Sequence, residues 1–519
     1  MPTDDHSLPL QVPELRASRN PAVERDERRV RRWVAELPVL NPVACLDALL
    51  EALEPLNREP LEPRLRLALL EAYRPAVLAV LEGLATPALR RLPLAPQARV
   101  EARARLVTLC QAQAVGYKHI VREAHRAGAR PGAGDPVVDA AWFRALEHTG
   151  WLLAAAWRAR SDPPPFTWLE LHQLHAHAAR GGAEALAPPT AAPAPPASAL
   201  GALYRLWLLA AAADPYRLAD EEQLALLELL APAAAQARIL PSPCRDGRPG
   251  LALDPAADSP PAVATAARPD GAPQCLDLAP VHAALEALLQ APDTGAGARA
   301  LAQRVLGHLR PGERRGDARR AVDRPVLVAR GLAAALTLEG LAPERLAELV
   351  AGQRLGMSVL SLESEDEAAV PLDTWRVLND SARGLLVVPD QEGVEPPEAG
   401  ELVAVVEQEA EGAPWRAGLA VARWVRRLGA AERPGVGLER VAGRRAAARF
   451  QGPRGAAEGL YVAPVKPLRL PARLLCAPDD APAAGTVIAI EVQGRRSRAR
   501  VAGTLERTPH LAILALAPA

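Results

Sequence analysis

Two groups of residues in this chain have the types and spacing for ligand chemistry. Within 374–388 (TWRVLNDSARGLLVV), Asn379, Ser381 and Gly384 stand at the spacing N-x-S-x-x-G between two short apolar runs. An amide offers a donor and an acceptor side by side and a hydroxyl adds both, so the pair can address the edge of a planar heterocycle such as a purine. The stretch reads as strand, turn, strand, with Gly384 supplying backbone freedom at the turn. Taken alone it is also an ordinary Asn/Ser hairpin turn. Upstream lie Arg310, Arg314, Arg315, Arg319, Arg320 and Arg324. Arginine forms bidentate bonds to phosphate, and its flat guanidinium can lie on a base. Arg315 and Arg319 stand at the spacing R-x-x-x-R, on what reads as a flexible lead-in to the strand-like run 325–329. The same spacing recurs at Arg310/Arg314 and Arg320/Arg324, and a solvated basic linker is the plainer reading of such a cluster.

The elements that must position these groups follow downstream. The runs 401–406, 418–427 and 435–441 are short, alternating or β-branched, and divided by Gly or Pro. That is the pattern of an antiparallel barrel. In this order the pieces resemble the PilZ domain, a small β-barrel that binds the bacterial second messenger cyclic di-GMP. The resemblance spans roughly 310–450: R-x-x-x-R, a strand, N-x-S-x-x-G, and the runs GLAVARWV and GVGLE. It implies that Arg315 and Arg319 grip phosphate and stack on guanine, that Asn379 and Ser381 hydrogen-bond the ligand, and that Gly384 shapes the turn. Between the first strand and the turn lies an insertion, with a helix-like stretch at 341–351 and an acidic loop at 363–367.

The other candidates point elsewhere. His172, His175 and His177 fall in the run HQLHAH. Positions three apart share a helix face, but no nearby carboxylate or cysteine completes a ligand set, so a partly buried or surface cluster is expected and no metal. The chain has no Gly-rich phosphate loop, no G-x-S-x-G and no H-E-x-x-H. Neither an enzyme nor a cofactor is expected.

Length and composition bound the rest. At 519 residues the chain is too long for one ordinary core. Lys plus Arg equals Asp plus Glu, at 61 each, so no global charge favours a nucleic-acid polymer or an acidic membrane. Cys45, Cys110, Cys244, Cys275 and Cys476 are scattered and odd in number, which reads as reduced, structural and cytoplasmic. No run of eighteen apolar residues predicts a membrane span.

Apolar residues recur at three and four from about residue 27. The spacing predicts helices over 41–53, with Pro42 just inside the start, over 64–84 with a kink or break at Pro75, over 96–127, over 138–160, and from about 167. The expected fold is multidomain α+β, an all-α helical bundle followed by a PilZ-like antiparallel β-barrel. In order, 1–26 is a disordered tail, 27–182 the bundle, 183–200 a Pro/Ala-rich linker, and 201–309 a helical region with an irregular loop at 241–273. Then come the barrel at 310–455 and a β extension at 456–519, either a second small β-unit or the completion of one larger barrel. The expected partners are cyclic di-GMP and a protein bound through the helical region, with self-association left open. The alternative is a degenerate barrel that binds no nucleotide and serves as a protein interface.

Overall fold

A computed structural model describes residues 8–16, 23–84, 94–190, 193–194, 196–244, 248–264, 273–310, 318–354, 370–391, 393–408, 413–429 and 433–519. Contacts divide the chain into two units. One comprises Met1–Pro215, Asp220–Thr294 and Ala302–Glu313, and the other Tyr216–Ala219, Gly295–Leu301 and Arg314–Ala519.

The first unit is built on helices α1 (Glu27–Ala35), α2 (Pro42–Leu56), α3 (Pro63–Gly83), α4 (Pro96–Arg126), α5 (Pro136–Arg158), α6 (Thr167–Arg180), α7 (Leu200–Ala212) and α8 (Asp220–Gln236). Their starts follow from local chemistry. Asn41 accepts from the backbone N–H of Ala44 and Asp135 from those of Val137 and Val138, each followed by a proline whose missing N–H costs nothing there. Pro75 does not divide α3, so of the kink or break expected there the break is absent. The helix buries Leu69, Leu70, Tyr73, Val77, Leu78 and Leu81, and at about 1.5–3 kcal/mol per large apolar side chain this outweighs one lost hydrogen bond.

Two further expectations are corrected in this unit. Part of the presumed disordered tail is packed: Leu8 and Leu10 are buried, and the Gln11 N–H donates to the Glu170 carboxylate at 2.5 Å. The presumed irregular loop at 241–273 contributes two strands to a four-stranded antiparallel sheet, β1 (Arg238–Leu240), β2 (Gly250–Leu253), β3 (Ala262–Val263) and β4 (Gln274–Asp277), in the order β1-β4-β2-β3, with β1 and β4 just outside its ends. Cys244 and Cys275 form a disulfide across it, so these two cysteines are not reduced; Cys45, Cys110 and Cys476 are free and buried. Helices α9 (Ala279–Gln290) and α10 (Ala296–His308) follow.

The rest is two closed, six-stranded antiparallel barrels. The first contains β5 (Arg320–Arg330), β6 (Asp373–Asp380), β7 (Gly384–Pro389), β8 (Leu402–Glu407), β9 (Arg416–Leu428) and β10 (Arg433–Arg440), closed in the order β10-β7-β6-β5-β8-β9. Alternation puts Val326 and Val328 inside with Trp375, Val377, Leu385, Val387, Val403, Val405, Val436 and Leu438, a dry plug of branched side chains. Helices α11 (Gly331–Glu339) and α12 (Pro343–Arg354) are inserted between β5 and β6; the acidic loop expected at 363–367 lies outside the described residues.

The second barrel holds β11 (Arg445–Gly452), β12 (Gly455–Val462), β13 (Ala472–Cys476), β14 (Val487–Val492), β15 (Arg495–Arg507) and β16 (Ala512–Pro518), in the order β11-β12-β13-β16-β15-β14. It is a separate closed barrel rather than a completion of the first, and it begins at Arg445, before the boundary drawn after 455. The outer faces of β12, β13 and β16 pack through Leu460, Val462, Leu475 and Ile513 in one core with α11, α12, β8 and β9. Among the described residues no helix is long and apolar enough to cross a membrane.

Candidate functional site

The two sequence motifs lie some sixty positions apart, and the β5–β6 ladder determines whether they meet. Arg320 pairs with Asp380 and Ala321 with Asn379. The residue immediately before β5, Arg319, is thereby carried to the end of the barrel where β6 turns into β7. Strand β5 begins at Arg320, so Arg320 and Arg324 are strand residues, not part of a flexible lead-in. Arg319 is exposed. Arg314 and Arg315 lie outside the described residues.

The β6–β7 connection is a two-residue hairpin. The N–H of Ser381 donates to the Gly384 carbonyl at 2.9 Å, and the N–H of Gly384 donates back to the Ser381 carbonyl at 3.3 Å. The Ser381 hydroxyl closes the same turn, 3.1 Å from both the Gly384 carbonyl and the Gly384 N–H. Gly384 does not adopt a positive φ, as its expected role required. Its role is close approach: a Cβ there would stand 2.5 Å from the Leu438 carbonyl oxygen on β10. The half-buried Asn379 sits at the end of β6 beside this turn.

Below the turn the barrel mouth is closed by charge. The alternation that puts Val326, Val403, Val405, Val436 and Leu438 inside also turns Arg324, Glu407 and Arg440 toward the mouth. Glu407 accepts from Arg324 and from Arg440, each at 2.6 Å, and Asp380 lies 3.3 Å from Arg324 and 3.5 Å from Arg440. Burial alone would raise the Glu407 carboxyl, but hydrogen bonds and charge from Arg440 and Arg324 more than offset it and hold the carboxyl below its ordinary range. Two cations and two anions balance in this ring. Arg319, Arg320 and Arg383 lie exposed around it. Sequence reasoning missed the ring. Its signal was a charged residue ending each of two inward-facing alternations, V-x-V-x-E at 403–407 and V-x-L-x-R at 436–440.

The histidines of α6 are structural. His172 is fully buried, its Nδ1 2.7 Å from the Tyr204 hydroxyl and its Nε2 3.0 Å from the Ser259 carbonyl. His175 stacks on Tyr204 with ring centroids 3.9 Å apart, and its Nε2 lies 3.2 Å from the Glu184 carboxylate. His177 bonds the Gln173 carbonyl through Nδ1. Among the described residues no group of three potential ligands could hold a metal ion. The bundle core holds a second charge network, in which Glu147 receives both Arg74 and Arg144 at 2.7 Å and Glu71 receives Arg144 and the Tyr117 hydroxyl. Every charge is paired and hydrogen-bonded, the condition under which buried ions persist.

With the geometry in place, comparison with known families is informative. Residues 28–243 match the family model "Cyclic-di-GMP receptor FimW, N-terminal domain". The FimW match covers less than half of the chain. It starts within α1, takes in α2 to α8 and β1, and ends one residue before Cys244. It therefore falls on the helical unit and includes none of the motifs at the barrel end. No curated protein matches the chain at a significant level.

Proposed function

We propose that this chain is a cytoplasmic cyclic di-GMP receptor whose first barrel is a PilZ-like nucleotide site. The observation that supports the reading is the β5–β6 register, which carries Arg319, the second arginine of the R-x-x-x-R spacing, to the barrel end that bears the N-x-S-x-x-G turn. A cyclic dinucleotide presents two phosphates and two purine edges. Exposed arginines beside a turn bearing an amide and a hydroxyl suit both. Arg315 and Arg319 would hold phosphate and stack on guanine, Asn379 and Ser381 would address the base, and Gly384 keeps the hairpin against β10.

The choice among arginine pairs is supported by what the others do. Arg310 is paired with Glu286, and Arg324 is committed to the ring below the turn. The FimW match supports the same ligand independently, because it lies wholly outside these motifs. In this reading the protein binds and does not turn over its ligand, and the helical unit passes the event to a protein partner. A degenerate barrel acting only as a protein interface is the second reading. It is favoured by one observation, that the Ser381 hydroxyl is already bonded within its own turn.

The test is paired substitution. Arg315→Ala and Arg319→Ala each abolish cyclic di-GMP binding while leaving the thermal melt unchanged, Arg319 being exposed ahead of the first barrel strand. Unchanged affinity in both variants removes this site assignment.

A further inference from the structure

The second barrel carries a row of arginines that the proposed nucleotide site does not use. Gln493 and Gly494 join β14 to β15, both at left-handed φ (50° and 75°), the conformation of a tight two-residue hairpin. Along β15 the alternation puts Ala499 and Val501 inside, and Arg496, Arg498 and Arg500 outside and exposed. Glu491, opposite Arg496, pairs with it at 2.8 Å. The cross-strand neighbours of the other two are uncharged: Ala489 faces Arg498, while Val487 and Ala517 flank Arg500. Among the described residues neither Arg498 nor Arg500 has a carboxylate partner. Like charges repeated along one strand face without opposing acids repel each other, and the fold gains nothing in return. The row also lies outside the β12–β13–β16 face that packs against the first barrel.

We infer that this row is a docking surface for an extended acidic segment of a partner protein, with carboxylates at alternating positions. Alternate residues on a strand are about 6.6–6.8 Å apart. A second chain lying extended along β15 repeats at the same interval, so its alternate side chains meet successive guanidiniums, and each arginine can take a carboxylate bidentately. The small side chains of Ala489 and Ala517 leave the flanks of the row open. Because the barrel is closed, no strand edge is available for main-chain addition and recognition falls to side chains. The row has no aromatic residue to stack bases of a single-stranded nucleic acid and no large apolar residue to enter a bilayer.

The experiment uses the full chain at low salt and a fluorescent peptide of five Ser-Glu repeats, read by anisotropy. A peptide of the same composition with its glutamates in one block, duplex DNA and phosphatidylserine vesicles are the comparisons. The alternating peptide binds most tightly, and Arg498→Gln/Arg500→Gln weakens it at least tenfold without altering the thermal melt. The single substitution Arg498→Gln weakens it by a smaller factor and serves if the double variant melts early. The inference is overturned if the alternating peptide does not bind, if the block peptide binds as well, if the variants bind unchanged, or if DNA or vesicles bind more tightly than the peptide. Cyclic di-GMP binding is read on the same variants and stays at the wild-type level, which separates this surface from the first barrel.

Discussion

Ala321 stands directly opposite Asn379 across the β5–β6 ladder. This pairing brings Arg319, some sixty positions earlier in the sequence, to the β6–β7 turn.

The mouth of the first barrel depends on Glu407. Glu407→Gln leaves Arg324 and Arg440 sharing only Asp380 in the ring, and the cost is about 1–3 kcal/mol, the usual penalty for a partly buried charge that loses its hydrogen-bonded partner. Urea unfolding of the variant beside a form in which Trp375 is the one tryptophan altered, followed by fluorescence, measures it through the part of the signal that Trp375, inside this barrel, contributes. An unchanged midpoint would show that the ring carries no stability.

Gly384→Ala tests why glycine stands in the hairpin. Its Cβ would meet the Leu438 carbonyl, a backbone atom with little room to yield, so the barrel loses about 1–3 kcal/mol. Were φ the reason, a structure of the variant would show a flipped peptide at 384; close approach predicts instead a wider separation of β7 and β10.

Gly150→Ala gives a sign test in the helical unit. In an exposed helix the change stabilises by about 1 kcal/mol. At position 150 of α5 the new Cβ would fall 1.9 Å from the buried Trp207 ring, so the variant is destabilised. A raised melting temperature would contradict the packing described here.

Acid should weaken the helical unit before it reaches the carboxylates. Burial lowers His119, His148, His172 and His175 below the ordinary imidazole range; His119, also pressed by Arg66 and Arg122, reaches about 3. The folded state keeps these rings neutral while the unfolded chain protonates them near 6.5, so the unfolded state binds more protons. Stability is therefore full above about pH 6.5 and falls as the pH drops toward the folded values, by up to about 1.4 kcal/mol per pH unit for each ring. Denaturation midpoints at pH 7.5, 6 and 5 should decrease in that order. Constant midpoints would contradict it.

Much of this architecture was legible in the residues themselves. Asn41 before Pro42 marked the start of α2, and the alternating runs marked β6 to β10. What stayed hidden depends on long-range pairing. The strands of the first-unit sheet are two to four residues long, too short for periodicity, and a disulfide between positions 31 apart crosses that sheet. The Arg324–Glu407–Arg440–Asp380 ring exists only once four strands are in register. The buried Leu8 and Leu10 sit in a polar, Pro-containing segment that local composition marks as a tail.

The cysteine correction can be checked by mass. Alkylation of denatured, unreduced protein should add three groups, at Cys45, Cys110 and Cys476, and five after reduction. In the native protein Cys110 resists labelling, since burial pushes its thiol up to about 12. Five adducts before reduction would restore the fully reduced reading.

The central claim is that the first barrel receives cyclic di-GMP, and calorimetric titration of the purified full chain tests it most directly, with GTP as control. The account predicts saturable binding selective for the cyclic dinucleotide. Absence of binding by a folded, monodisperse sample would contradict it and leave the barrel end as a protein interface.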